Sequence, residues 1–219
     1  MKVPVVGASG LSGYVAAQLA TFFPDGRNDS KHVIDRNLDE SIERVRRCIN
    51  AVRIWPKDEF DYLHTEQNTI FLYFLANTIW RNGDEPRVAT KIYYLNKALN
   101  SFNCYYEVAL PDIFFVGHSV GIVLSRATYA DYFAVYQNST VGWNNGVGPT
   151  FEEGVVLFPN SFVLGRCRLR RGSIVAQGTS LIDRDTEQDR IAYLEQGELR
   201  FRDRKRDILG AIFRLEERQ

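Results

Sequence analysis

Net charge is the first thing this 219-residue sequence lacks: 27 Lys and Arg stand against 27 Asp and Glu, and the formal charge at neutral pH is zero. A protein held on nucleic acid by phosphate contacts is expected to run basic, so that class is disfavoured. Cysteine is scarce. The three present (Cys48, Cys104 and Cys167) form no CxxC pair, and their odd number argues against a disulfide framework. Reduced thiols in a cytoplasmic protein are expected. Long hydrophobic runs are missing too. The most apolar stretch, 70–80, is interrupted by Asn77 and Thr78 and is too short to span a bilayer. The first residues lack the apolar centre of a signal peptide, and no membrane partner is expected. What is present is ordinary for a globular chain, 45% hydrophobic and 25% charged, which excludes disorder. A chain of this size forms one or two domains and buries about 70% of its accessible surface on folding.

Two textures meet near residue 105. Before it the pattern is helical. Residues 11–23 place Leu11, Val15, Leu19 and Phe22 on one face, and Pro24, Asp25 and Gly26 stop the run. Residues 38–54 repeat this with Leu38, Ile42, Val45 and Ile49, after an Asp-Arg-Asn approach that offers N-caps. Residues 66–81 are apolar nearly all round, as for a helix packed on several sides. Pro86 suits the first turn of a helix carrying Val88, Ile92, Leu95 and Leu99. These four helices make a cap domain over residues 1–104.

After residue 105 a repeat of six takes over. Residues 151–180 read FEEGVV, LFPNSF, VLGRCR, LRRGSI and VAQGTS. The first position is always apolar (Phe151, Leu157, Val163, Leu169, Val175, then Leu181), and the fifth is small or β-branched. The fourth is Gly154, Asn160, Arg166, Gly172 and Gly178, so all but Arg166 suit the left-handed backbone of a corner. A helix turns about 600° in six residues, which is not a whole number of turns, so an amphipathic helix cannot hold this repeat. A triangular coil of short strands with three hexads per turn can. Residues 118–142 carry a looser version, with Leu124, Val135 and Val141 inward and one short hexad near Ala130. Residues 143–149 (WNNGVGP) read as an exposed loop, 191–202 as strand-turn-strand, and 203–217 as a terminal helix docking on a neighbour.

The repeat, the helical block and the stretch 117–142 (GHSVGIVLSRATYADYFAVYQNSTVG) together resemble the hexapeptide-repeat acyltransferases, in particular the serine acetyltransferase group. Residues 149–182 look like that family's closing hexads. The resemblance implies an α+β chain: an N-terminal α-helical domain, a left-handed parallel β-helix over residues 105–183, and a C-terminal extension with a helix over residues 184–219. It also implies a homotrimer or dimer of trimers, with acetyl-CoA as acyl donor in the groove between subunits. No metal and no covalent acyl-enzyme are implied.

Residue by residue, His118 falls on the family's catalytic histidine. A thioester is already activated, and the enzyme must chiefly position the acceptor and remove its proton, a task that suits imidazole. The alternative is a buried His satisfied by a backbone carbonyl. The family's carboxylate that orients the imidazole has no exact counterpart here; Glu107 and Asp112 are the candidates, with Glu107 preferred. The donor-binding positions fall on Gly142, Pro159 and Gln177, with Ser161 and Ala176 adjacent. The cation cluster RCRLRR (166–171) is either a solvated face or an attraction for the CoA phosphates.

Two departures bear on the acceptor. Gly117 stands where the family has Asp, and Gly148 where it has a second His; those groups help to bind the amino acid in serine acetyltransferases. The leading expectation is an acetyl-CoA-dependent O-acetyltransferase of the serine acetyltransferase type with a small-molecule acceptor, serine-like or a sugar, in which free serine is not the acceptor or is handled poorly. The alternative is an acetyltransferase acting on an amino sugar or nucleotide-linked sugar of surface-polysaccharide assembly, with Tyr129, Tyr132, Phe133 and Tyr136 beside Asn144 and Asn145 offering faces for a sugar ring. A catalytically silent β-helix scaffold is the reading from a different class. Two further readings are weaker. Residues 3–13 (VPVVGASGLSG), with Asp35 downstream, suggest a dinucleotide turn, but GxxGxxG is not that fingerprint and the βα units it needs never follow. A zinc-dependent β-helix enzyme needs three His, and only His118 lies in the repeat, with His32 and His64 in the cap.

Overall fold

Four helices, α1 Gly7–Phe22, α2 Ser30–Ala51, α3 Thr65–Arg81 and α4 Pro86–Asn100, fill the first hundred residues of the computed structural model, which describes residues 1–3, 7–27 and 30–215. Residues 4–6, near the start of the Gly-rich segment 3–13, and residues 216–217 of the expected terminal helix lie outside the described residues. Pro86 opens α4, and the Glu85 side chain caps it by accepting the Arg87 N–H. α2 begins at Ser30, well before the expected 38. Asn37, expected as an N-cap, is buried inside the helix and donates to the Val33 carbonyl and to Asp84, both at 2.9 Å. A tertiary partner has taken over the group that sequence alone assigned to a helix end.

α3 is buried almost all round, as its composition predicts. Its two polar interruptions fare differently. Asn77 donates to the Tyr106 carbonyl at 2.6 Å, and Thr78 accepts from Arg44 at 2.8 Å. Tyr73 donates to the Val108 carbonyl and accepts from the Leu110 N–H, pinning the segment that leads out of the helices.

The rest of the chain winds into a parallel β-solenoid of about five turns, consistent with the left-handed β-helix of a hexapeptide repeat. One sheet stacks β1 Phe102–Cys104, β3 Ile122–Leu124, β6 Thr140–Gly142, β9 Phe162–Leu164 and β12 Ser180–Ile182. A second stacks β4 Thr128–Tyr129, β7 Thr150–Phe151 and β10 Arg168–Leu169. The third stacks β2 Phe114–Gly117, β5 Phe133–Tyr136, β8 Val156–Leu157 and β11 Ile174–Val175, and is closed by the hairpin β13 Arg190–Glu195 and β14 Glu198–Asp203. Thr150 pairs with Arg168, Val156 with Ile174 and Phe162 with Ser180, so one coil takes eighteen residues, three hexads. Val123 pairs with Thr140, one residue short of that repeat; the short hexad is the step from Leu124 to Tyr129. Thr140 pairs with Phe162, and the four extra residues belong to the loop 143–149, a tight hairpin bridged between Asn144 and Val147.

All six first-position side chains of the strict repeat are at most 1% exposed. Tyr129 joins the stack with its ring parallel to Phe151, centroids 5.0 Å apart, an arrangement worth about 0.5–1.5 kcal/mol beyond the area it buries. Left-handed corners fall on Gly154, Asn160, Gly172 and Gly178 as expected. In the row that breaks the pattern, Gly165 (φ 77°) takes the corner one residue before Arg166.

The terminal helix is short, α5 Ile208–Ile212, and it docks on its own chain. Phe213 bridges to Val52, and the Arg214 guanidinium donates to the carbonyls of Asn50, Val52, Arg53 and Trp55 at 2.5–3.0 Å. Those carbonyls lie in and just beyond the last turn of α2, where the helix leaves acceptors without partners. All three cysteines are buried and free, and burial pushes the Cys48 thiol up to about 12. Among the described residues no helix is long and apolar enough to cross a membrane.

The inward stack sets a stability prediction. Leu157→Ala should lower the unfolding free energy by about 2–5 kcal/mol, the range for emptying a fully buried leucine site. Urea titration followed by far-UV circular dichroism measures it, and a loss under 1 kcal/mol would contradict the packing described.

Candidate functional site

His118 follows β2 directly, at the corner where the third sheet turns into the first. Its backbone is left-handed (φ 51°), a conformation rare for a residue with a Cβ, and its N–H donates to Glu66 Oε1 at 3.2 Å. The side chain is 74% exposed, so the buried, carbonyl-satisfied alternative does not describe it.

The carboxylate beside it comes from the helical domain. Glu66 lies in the first turn of α3; its Oε1 is 3.8 Å from His118 Nδ1, and its Oε2 is 3.2 Å from His64 Nδ1. The His64 ring stands edge-on to Trp55 at 5.7 Å, and Trp55 packs on Phe115 of β2 at 5.6 Å. The carboxylates expected to orient the imidazole are engaged elsewhere. Glu107 pairs with Arg126 at 2.5 Å, and Asp112 with Arg47 at 2.9 Å. Sequence reading did not single out Glu66, and it placed His64 only as a histidine of the cap. The only local signal was the His-x-Glu at the start of an apolar helix, and no spacing rule connects it to residue 118.

Below His118 the same corner recurs in each coil. Asn138 N–H donates to the Val120 carbonyl, Asn160 N–H to Gln137, and Gly178 N–H to Pro159, at 2.9–3.1 Å. This ridge carries Pro159, Ala176 and Gln177, three of the expected donor-binding positions, beneath His118. Ser161 is fully buried at the ridge with its hydroxyl turned inward to the Phe158 carbonyl. Gly142 ends β6 on the adjoining sheet, and its carbonyl accepts from Gly165. Ser119 Oγ, Gln137 Oε1 and Thr179 Oγ1, all at this corner, are buried without a hydrogen-bond partner among the described residues. The RCRLRR cluster lies on the second sheet and its flanking corners, with Arg168 held by Glu152 at 2.6 Å and Arg171 near Asp189 at 3.9 Å.

The two glycines that replace expected side chains are closed off. A Cβ on Gly117 would stand 2.5 Å from a ring carbon of Tyr136. That ring is wedged between Phe158, stacked at 5.4 Å, and Phe115 at 5.7 Å. A Cβ on Gly148 would stand 2.5 Å from the Arg126 carbonyl and 2.6 Å from the Trp143 indole nitrogen, which itself donates to that carbonyl. Of the aromatic residues expected to face an acceptor, Tyr129 and Phe133 are core, and Tyr132 packs on Phe213 at 5.5 Å. Tyr136 alone is at the His118 corner. Asn144 is on a different corner and donates to Asp183 at 2.8 Å.

No family model and no curated protein matches this sequence. Solved structures do match. Serine acetyltransferase from Neisseria gonorrhoeae superposes with a TM-score of 0.72 at 13% identity, over 93% of this chain and 82% of that one. A serine acetyltransferase in complex with CoA gives 0.70 at 17% identity over 89% and 84%, and the Brucella abortus enzyme gives 0.68 at 16% over 90% and 84%. At these identities the likeness is one of fold: helices first, then the solenoid, then a short helix.

Crowding at Gly117 predicts a coupling. Gly117→Ala should destabilise by about 1–3 kcal/mol, the usual cost of overpacking, and most of that cost should vanish in a Tyr136→Ala background. A thermodynamic cycle by urea denaturation tests it; additive losses would mean that the ring does not occupy the space.

Proposed function

We propose that this protein is an acetyl-CoA-dependent acetyltransferase of the serine acetyltransferase type, with His118 as the general base. One observation carries the reading: an exposed imidazole on a left-handed corner heads a ridge of stacked corners in a fold like that of a CoA-binding enzyme. The donor supplies an acetyl group already activated as a thioester. Pro159, Ala176 and Gln177 line the ridge for it. Gly142 and Ser161 contribute through their backbone.

His118 takes the acceptor hydroxyl proton as the new C–O bond forms. It returns that proton to the departing thiolate as the C–S bond breaks, so the imidazole ends each cycle neutral. Neither a metal nor an acyl-enzyme takes part in this scheme.

The acceptor is a small molecule other than free serine, with a sugar hydroxyl or amine favoured. A zwitterion needs fixed partners for its amine and carboxylate, and each one left unpaired in a closed site costs about 1–3 kcal/mol. Gly117 and Gly148 supply no side chain, and Tyr136 and Trp143 fill the space where one would stand. The half-exposed Tyr136 ring offers the apolar face of a sugar a surface instead. Association into trimers, or a dimer of trimers, fits the exposed Phe162 and Ile182 on the outer face of the first sheet.

Thiol release from acetyl-CoA, measured with L-serine and a panel of amino sugars and nucleotide-linked sugars, tests the reading. His118→Ala should lower turnover by about 10²–10⁴-fold with little change in folding, and an active variant removes the mechanism. Serine turnover with kcat/KM above about 10⁴ M⁻¹s⁻¹ would end the non-serine assignment. Light scattering should give three or six times the mass of one chain; a fully active monomer contradicts the assembly.

A further inference from the structure

We propose that Glu66, carried by the helical domain, is the positioning residue of His118, with His64 packed beside its second carboxylate oxygen. The proposal rests on reading His118 as the general base. Three observations point to it. Glu66 Oε1 meets His118 twice, accepting its backbone N–H at 3.2 Å and lying 3.8 Å from its Nδ1. The first contact holds the left-handed backbone, a conformation that a residue with a Cβ rarely adopts. The second faces the ring nitrogen that a carboxylate must face if the other nitrogen is to act on the acceptor.

Glu66 is itself held. Its side chain is only 19% exposed, it occupies the first turn of α3 where the helix end favours negative charge, and its Oε2 is 3.2 Å from His64 Nδ1. His64 is wedged against Trp55, whose ring packs on Phe115 of the solenoid, so the carboxylate is registered against the strand that presents His118. The carboxylates nearer in sequence, Glu107 and Asp112, are neutralised by Arg126 and Arg47. Among the described residues, Glu66 is the carboxylate in contact with His118.

The chemistry follows from that placement. A neutral His118 with its proton on Nδ1 directs it toward Glu66 and leaves the Nε2 lone pair for the acceptor hydroxyl. At 3.8 Å the Nδ1 contact is longer than a hydrogen bond, and such contacts tighten when substrates bind. As the proton is taken, the imidazolium forms beside a carboxylate already in place. The helical domain is then part of the catalytic apparatus and more than a cap on the solenoid.

Two measurements on the full chain decide it. The sequence has only three histidines, so ¹⁵N-histidine labelling gives a spectrum in which His118 is identified by its loss in His118→Gln. Neutral His118 should hold its proton on Nδ1 in the wild type and lose that preference in Glu66→Gln. In steady-state kinetics Glu66→Gln should lower kcat by about 10–100-fold with KM for both substrates within about two-fold, the usual effect of removing a partner that orients a functional histidine. Glu66→Asp should recover part of the loss, His64→Gln should show a smaller one, and the melting temperature of Glu66→Gln should fall by no more than about 4 °C, the effect of losing one charge at a helix N-terminus.

An unchanged tautomer in Glu66→Gln overturns the proposal, as does wild-type kcat in that variant while Glu107→Gln is impaired. The spectra need no substrate. If His118→Ala keeps full activity, the base assignment fails while the tautomer still decides whether Glu66 orients the ring.

Discussion

One apolar side chain must point inward every six residues, three to a coil, or the solenoid cannot close. Everything else in the β-helical half follows from that requirement. The inward columns hold the coils at a fixed rise, and the corners between them fall at fixed phases of the repeat. His118 is exposed because Val116 and Ile122 on either side of its corner are turned in. Pro159 and Gln177 lie beneath it because their hexads turn at the same phase. A site on a stack of corners comes with its spacing already set by the core.

The helical domain is locked onto this coil by polar as well as apolar contacts. Tyr73 and Asn77 satisfy backbone groups in the connecting segment, Phe74 meets Phe114 at 5.5 Å, and Arg214 from the far end of the chain caps the last turn of α2. These buried bonds are directional, so they fix the angle at which α3 meets the solenoid as well as its distance. That angle decides which residue of the first turn reaches His118. Glu66 arrives there from fifty-two residues earlier in the chain.

The glycines at 117 and 148 each leave room that a neighbouring aromatic ring takes up. Once nothing projects from Gly117, the paired position Tyr136 can lay its ring across the gap and stack on Phe158 in the next coil. Trp143 does the same over Gly148, anchored through its indole N–H. The replacements are cooperative: an aromatic ring now depends on the absence of a Cβ. A side chain placed at either position would meet those rings rather than open space.

Periodicity alone determined most of the architecture. The hexads, their short member near residue 130, the hairpin after residue 190 and the Pro86 helix start are local regularities, because each depends on residues within a single turn or coil. Arg166 looked like an exception only because its corner had shifted by one residue to Gly165. Likewise His118 stood out through its flanking motif. Its partner could not. The choice among Glu66, Glu107 and Asp112 depends on which cation each carboxylate meets, and Arg126 and Arg47 come from other elements. The same holds for the start of α2, where Asp84 claims Asn37, and for the aromatic residues of 129–136, of which Tyr129 and Phe133 are core while Tyr132 and Tyr136 are half-buried at corners. Short-range spacing selects what the backbone does, whereas ion pairs and ring contacts join residues far apart in the chain and exist only once the helices have docked on the coil.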